Sequence, residues 1–279
     1  MSEADLAVLA EPLLLAEPAP AKLNLALHVR RRRPDGRHDI ETMFAFCIDG
    51  DRVEARASNT LSLTIDGPFA QDLGGGEDNL VLRAARALVD AAGVDMFADL
   101  RLIKRLPVAS GIGGGSADAA ATLRLLTRLW HIDPALAQQV APSLGSDVPA
   151  CLLSMTARGG GAGDELRVED AGVAGTPVLL VNPGAALSTA DVFAHWDGLD
   201  RGPLGGWRDG RNDLEAPARA RAPEIGEVLD LLTAQPGARF IRMSGSGATC
   251  FALFDELAAR DSAATAVPAH WWHLATRIR

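Results

Sequence analysis

From Ala21 to Val29 apolar and polar residues alternate, with Leu23, Leu25, Leu27 and Val29 on one side and Lys22, Asn24, Ala26 and His28 on the other. A period of two predicts a half-buried strand. A charged stretch, Arg30–Arg37, follows and carries the turn composition Pro34-Asp35-Gly36. Further strands are expected near 41–48, 52–57 and 61–65. Asp78 or Asn79 can cap a helix that runs to Ala92 and closes at Gly93. Residues 99–104 read as a strand. Ala119, Thr122, Leu123, Leu126 and Trp130 then recur at helical spacing. Asp133-Pro134 supplies a cap and a first-turn proline for a helix ending near Ser143, after which LGSDVPACLL leads the chain back into the core.

The run GGGAGDE at 159–165 has turn composition and marks a lobe boundary. Beyond it the pattern predicts a buried strand at 177–183, a helix at 189–195 and a surface loop at 197–210. A helix at 223–233, strands at 239–243 and 249–254, a helix from Glu256 and a strand at 271–276 complete the chain. Strands and helices that segregate, with hairpins among them, indicate an α+β fold rather than a doubly wound sheet.

One junction carries candidate chemistry. Residues 107–120 read PVASGIGGGSADAA, a dense glycine loop running directly into the helix of Leu123 and Leu126. Glycines let backbone amides approach an anion, and a helix N-terminus adds unpaired N–H groups and a favourable dipole. A flexible linker is the bland alternative, but linkers do not usually feed an amphipathic helix. A Walker A loop would need Lys then Ser/Thr after its last glycine, whereas Ser116 and Ala117 follow Gly115. A dinucleotide fingerprint would need glycine where Ser116 stands.

The chain has 279 residues, a net charge of −9 and 48% hydrophobic residues, enough for a full core in two coupled lobes. An acidic chain argues against long nucleic acid as a partner but leaves a nucleotide open, because backbone amides and a few lysines can make a local positive spot. Cys47, Cys151 and Cys250 have no metal-binding spacing and read as small buried hydrophobes of a reducing compartment. The apolar stretch LLLA at 13–16 is too short to span a bilayer and lacks a basic flank. Residues 1–17 therefore read as a loose tail, and a cytoplasmic protein with no membrane partner is expected.

Three segments in order, PAKLNLALHV from Pro20, the loop from Pro107 and RMSGSGATCFALF from Arg242, resemble the three motifs of the GHMP kinase superfamily. RRPDGRHDIETMF, EDNLVLRAA, LGSDVPACL and NDLE (from Asn212) resemble segments of the branch that phosphorylates the 2-hydroxyl of a cytidine diphosphate-linked methylerythritol. The resemblance implies a two-lobed fold. An N-terminal lobe of mixed sheet and helices (18–165) would carry the ATP loop, a smaller ferredoxin-like lobe (166–279) would follow, and the active site would lie between them. It also implies ATP and Mg2+ as cofactors, a small-molecule substrate, and a monomer or homodimer.

Residue by residue, the resemblance makes Asp147 the base and Lys22 its partner. From composition alone, Asp147 would be an acid capping a turn and Lys22 a solvated strand end. Pro107, Val108, Ala109, Ser110, Gly111, Ile112, Gly113, Gly114, Gly115, Ser116 and Ala117 would wrap the triphosphate, with Asn79 and Lys104 lining the adenine pocket. The bland readings of Asn79 and Lys104 are a helix cap and a solvated lysine. Ser116 could reach Mg2+ or cap the helix, and Asp118 is a further, weaker metal candidate. Asn24, Arg37, His38, Thr189, Phe193, Gly245 and Gly247 would meet the substrate. The chain contains no tyrosine, and Arg37 stands where that branch has Tyr before His, so a guanidinium would stack on the base instead. Nothing in the spacing encodes the alcohol. A homoserine- or mevalonate-type kinase, or a non-catalytic binding module of the same fold, stays open at this point.

Overall fold

The computed structural model describes residues 14–279. The first strand, β1 (Leu15–Arg32), pairs antiparallel along its length with β2 (His38–Ser58). β1 starts at Leu15, so residues 15–17 are part of a sheet rather than of the expected tail, and residues 1–13 lie outside the described residues. The alternation in β1 is interrupted by register shifts between Pro20 and Lys22, Asn24 and Ala26, and Val29 and Arg31. A bulge changes which face the following side chains take. The apolar set expected on one face therefore divides: Leu23 and Leu25 join one core, Leu27 and Val29 another. Lys22, Asn24 and His28 are only 3%, 2% and 2% exposed: Lys22 lies under Gly113 against Phe44, Asn24 meets Ser244, and His28 meets the 202–211 segment.

The two strands expected at 41–48 and 52–57 are one strand, β2. Asp49-Gly50 does not turn the chain; Gly50 lies against Pro20 of β1, where a side chain would collide with the Ala19 carbonyl. Residues 42–44 of β2 pair with β5 (Ala157–Gly160), which hairpins into β6 (Glu165–Val168). Residues 52–58 pair with β4 (Phe97–Ile103), which takes β3 (Ser62–Asp66) in parallel. The helices α1 (Leu80–Ala92), α2 (Gly114–Leu129), α3 (Pro134–Leu144) and α4 (Val148–Leu153) are those of this lobe. Leu88, Leu100, Leu123 and Leu126 fill the core between helices and sheet. Asn79 caps α1 by accepting from the Val81 amide, Gly93 closes it in the left-handed conformation, and Asp133 caps α3, all as expected. The short helix α4, which follows Asp147, was not legible in the apolar run LGSDVPACLL.

The second lobe contains β7 (Pro177–Asn182), α5 (Thr189–Ala194), α6 (Glu215–Arg221), α7 (Glu224–Thr233), β8 (Ala238–Met243), β9 (Cys250–Phe254), α8 (Leu257–Thr265) and β10 (Trp272–Arg277). Its antiparallel sheet has the order β10-β7-β9-β8, the ferredoxin-like arrangement expected. Helix α6 lies in a stretch for which no element was predicted. Between the sheets, Leu23, Leu25 and Met43 pack with Val178, Leu180, Phe251 and Leu253, so the lobes share a core. The 197–210 segment is not simply a surface loop. Its Leu204 and Trp207 are each 6% exposed and belong to this shared core, with the Trp207 indole N–H donating to the Ala171 carbonyl at 3.0 Å. Cys47, Cys151 and Cys250 are buried free thiols, and burial pushes each thiol pKa up. Among the described residues no helix is long and apolar enough to cross a membrane.

His28 ties β1 to that loop. Its Nδ1 lies 3.1 Å from the Gly202 carbonyl, and its Nε2 accepts from the Arg211 amide at 3.2 Å. This pairing fits the neutral ring with its proton on Nδ1; a second proton on Nε2 would face an N–H donor. Burial, partly opposed by the Gly202 carbonyl and reinforced by Arg211, holds the His28 pKa below 6.5. The unfolded chain therefore binds this proton more readily than the folded one. Stability from His28 is full above pH 6.5 and is lost as pH falls through the depressed folded value. Thermal unfolding measured from pH 8 down to 5 should show a falling Tm below about 6.5, and the slope should shrink in His28→Asn.

Candidate active site

A cleft of about 810 Å³ opens between the lobes. Its charged lining is mostly cationic, with Lys22, Arg32, Arg33 and Arg37 against one acid, Asp147. In a chain of net charge −9 this local excess suits a polyanionic ligand.

The glycine loop forms one wall. β4 delivers the chain to Pro107, and Gly113, at φ +65°, is the N-cap of α2. Ser116 is thus the third helical residue and not a cap; its hydroxyl borders the cleft. Ala109, Ser110, Gly111, Gly113, Gly114 and Gly115 also line it. Ile112 and Ala117 do not; their side chains are buried and anchor the loop, and the Ile112 carbonyl accepts from the Lys22 amide at 2.9 Å. Pro107 and Val108 lie outside the lining as well.

Lys104 and Asp118 are not where a nucleotide could touch them. Lys104 is 1% exposed beneath the loop, and its ammonium pairs with Asp51 and, at 2.8 Å, with Asp118. Asp51 also accepts from the amides of Arg105 and Leu106, fixing the chain as it leaves β4. Burial opposes the Lys104 charge, but Asp118 and Asp51 together hold its pKa above the ordinary lysine value. Burial pushes Asp118 up to about 7 against the pull of Lys104, with Asp51 adding to the rise. The solvated lysine and the metal-binding Asp118 of the sequence reading are both replaced by a buried charge cluster. Asn79 is likewise occupied: its carbonyl caps α1 and its amide donates to the Gly74 carbonyl at 3.1 Å, while its neighbour Leu80 lines the cleft.

Lys22 and Asp147, 125 positions apart, meet at 3.0 Å. The Asp147 carboxylate makes no capping bond to α4, so the bland reading of a turn cap fails; its side chain is 32% exposed. Lys22 is nearly buried, donates to Asn24 Oδ1 at 2.8 Å, and lies 5.5 Å from the Phe44 ring centre. Asn24 Nδ2 donates to Thr42 Oγ1, which in turn donates to the Ala26 carbonyl. Asn24 is therefore locked by a network rather than free on a strand face.

Opposite lie Arg37, His38, Thr189, Phe193 and Gly245, all in the lining. His38 Nε2 is buried without a hydrogen-bond partner. Burial, with Arg32 nearby, lowers the His38 pKa, so the ring is neutral at pH 7. Its ring lies 4.8 Å from Phe193 and edge-on to Trp196 at 5.8 Å. Arg32 secures α5 by donating to the Ala194 carbonyl at 2.8 Å. Thr189 Oγ1 is 2.9 Å from Ser246 Oγ. Gly247 does not line the cleft; together with Gly245 and Ser244 it presses on the glycine loop, where Ser244 Oγ donates to the Gly111 carbonyl at 3.1 Å.

Among the described residues no three His, Cys, Asp or Glu side chains converge on a metal site. The lining oxygens beside the start of α2 and α4 include the Ser116 and Ser146 hydroxyls and the Asp147 carboxylate. This fits Mg2+, which binds through few protein oxygens, waters and phosphates. Sequence reasoning missed Asp51 and Thr42, and saw Ser244 and Asn212 only as members of the third motif and of NDLE, without their partners. Each is polar and at most 7% exposed, a signal that needs the strand pairing to be seen.

Two family models match the chain: "GHMP kinases N terminal domain" matches residues 79–155 and "GHMP kinases C terminal" matches 199–272. The chain is 56% identical to 4-diphosphocytidyl-2-C-methyl-D-erythritol kinase of Rhizorhabdus wittichii, covering 94% of each chain. It is 49% identical to the protein of that name from Sphingopyxis alaskensis, covering 93% of this chain and 96% of the relative. A crystal structure of 4-(cytidine 5'-diphospho)-2C-methyl-D-erythritol kinase superposes with a TM-score of 0.82 at 33% identity, over 95% of this chain and 99% of the other. A homoserine kinase from Cytophaga hutchinsonii shares the fold, with a TM-score of 0.72 at 17% identity, over 95% of each chain.

Two outcomes follow from the loop's packing. Gly111 has φ +77°, and a Cβ there would lie 2.5 Å from the Gly247 carbonyl and 2.6 Å from that of Ser244. Gly111→Ala should cost about 3 kcal/mol or more in denaturant unfolding, whereas Gly36→Ala, at φ +83° with open space around it, should cost about 1 kcal/mol. Lys104→Ala strands two buried carboxylates and should destabilise by about 3–5 kcal/mol. A surface lysine that merely touched nucleotide would leave the unfolding midpoint unchanged.

Proposed function

The chain belongs to the GHMP kinases, and on that premise we propose that it is a 4-diphosphocytidyl-2-C-methyl-D-erythritol kinase, transferring the terminal phosphate of ATP to the substrate's 2-hydroxyl. The observation that carries the mechanism is the 3.0 Å Lys22–Asp147 pair beside the glycine loop in a cationic cleft. Phosphoryl transfer needs positioning, charge neutralisation and a proton acceptor. Asp147 supplies the acceptor, taking the hydroxyl proton as the oxygen attacks in line and ADP leaves. Lys22 holds the Asp147 carboxylate in place and stabilises charge developing on the attacking oxygen.

The loop amides from Ala109 to Ser116 hold the phosphates. Mg2+ on the nucleotide would neutralise phosphate charge, with Ser116 and Asp147 as the protein oxygens nearest to hand. Asn24, held by Thr42, orients the polyol. Neutral His38 reads the edge of the cytosine through its unpartnered ring nitrogen, and Phe193 bounds the base. Arg37 stacks on the ring face or meets the diphosphate. Thr189, with Ser246, contacts the substrate. The product is a precursor in the non-mevalonate isoprenoid pathway, and a cytoplasmic location suits that role.

A coupled ADP-release assay tests the assignment. The cytidylylated tetrol should support turnover far better than its uridine analogue or the free tetrol phosphate. Turnover on homoserine or mevalonate instead would reassign the substrate, and no ADP with any alcohol would favour a binding module. Asp147→Asn should retain ATP binding and lose about 10²–10⁴-fold in kcat. Near-normal turnover would remove Asp147 from its role. Lys22→Ala should lower kcat more than it raises KM for ATP.

A further inference from the structure

The NDLE segment at 212–215 has no part in the chemistry above, yet its first residue is 7% exposed at the meeting point of three functional elements. Asn212 Nδ2 donates to the Met243 carbonyl and to the Gly245 carbonyl, each at 2.8 Å. Its Oδ1 accepts from the Leu214 amide at 3.0 Å. On the backbone, Leu27 donates to the Arg211 carbonyl at 2.8 Å and accepts from the Asp213 amide at 2.9 Å, so the segment is pinned to β1. Both donors of the amide and one acceptor site of its oxygen are thus spent inside the protein.

What Asn212 holds is the turn at 244–247, and that turn holds the glycine loop. Ser244 Oγ donates to the Gly111 carbonyl, the Asn24 amide donates to Ser244 Oγ, and the Thr249 amide donates to the Ser110 carbonyl. A Cβ on Gly245 would lie 2.8 Å from the Gly111 carbonyl and 3.2 Å from Asn24 Oδ1. The next residue, Ser246, bonds to Thr189. A displacement of the Gly245 carbonyl therefore reaches the phosphate loop, the residue beside Lys22, and the substrate wall together.

We infer that Asn212 is a positioning residue: its amide fixes the 244–247 turn, and through that turn the geometry of the glycine loop and of Asn24. The inference rests on the kinase reading for its substrate, but its nucleotide arm does not. Asn212→Asp keeps the side-chain shape and turns both donors into acceptors facing two carbonyls. Asn212→Ser keeps one donor, and it gives the same readouts if the Asp variant does not fold. For folded variant protein, affinity for a fluorescent ATP analogue should fall about 10-fold, and kcat per active site about 10–100-fold, since a small misplacement at a reacting centre carries losses of that order. Amide hydrogen exchange should quicken at both 244–247 and 110–113.

A merely structural Asn212 would lower Tm and the titrated fraction of active sites while leaving nucleotide affinity and turnover per active site at the wild-type values, and that result overturns the inference. Faster exchange at 244–247 with 110–113 unchanged overturns it too. Wild-type protein that binds the ATP analogue yet turns over no cytidylylated tetrol would sink the substrate assignment and leave the nucleotide and exchange arms to decide this one.

Discussion

The site depends on two backbones meeting where neither has a side chain. Gly111 of the glycine loop lies against Ser244, Gly245 and Gly247 of the second lobe, and Gly111, Gly245 and Gly247 have positive φ. Any Cβ at Gly111 or Gly245 would enter the space of the facing main chain, so the approach is available only to glycine. Hydrogen bonds at Ser110, Gly111 and Asn24 join the two segments. The shared core of Leu23, Leu25, Val178 and Phe251 holds the sheets that carry them. The loop from one lobe and the turn from the other therefore behave as a single wall. This is the kind of fixed geometry that a reaction limited by positioning requires.

Charge is sorted around that wall. The chain carries more acids than bases, yet the cleft shows one carboxylate among several cations. Other acids near the site are spent inside the protein. Asp51 and Asp118 neutralise Lys104, Asp213 accepts from the Val29 amide and pairs with Arg211, and Glu41 pairs with Arg30. Asp147 differs because its one ion-pair partner is Lys22 and about a third of its side chain remains exposed. Two lysine–aspartate clusters thus have different uses. The one under the loop is sealed and works on stability; the one at the cleft leaves a carboxylate reachable.

Much of this was legible in the sequence, for identifiable reasons. Caps placed α1 and α3 closely, because Asn79, Gly93 and Asp133 act locally, and α7 was placed closely without a side-chain cap. The glycine loop and its helix were legible for the same reason. Local rules failed where a distant segment decides the environment. Lys22, Asn24 and His28 looked solvated because strand alternation cannot show the glycine loop lying over the first or the second lobe meeting the other two. Residues 41–48 and 52–57 looked like two strands because composition does not reveal that Gly50 packs on Pro20. Lys104 looked solvated because its two carboxylate partners lie 53 and 14 positions away. The pairing of Lys22 with Asp147 came from a family resemblance, since no spacing rule brings them together.

The glycines of the loop also answer a question that composition leaves open, namely what each is for. A Cβ at Gly113 would lie 3.0 Å from Lys22 Cε, and one at Gly114 would lie 2.9 Å from Lys104 Nζ. Consecutive glycines are thus fitted over the two lysines, while Gly111 accommodates the facing turn. The loop would need these glycines with no anion present at all. Glycine density near a helix start is for this reason an indirect sign of a phosphate site. It reports that the backbone has been brought down onto packed side chains, of which the Lys22 ammonium lines the cleft while that of Lys104 is neutralised by Asp51 and Asp118. The same absence of Cβ that lets the lysines come close from beneath leaves the amides uncovered from above.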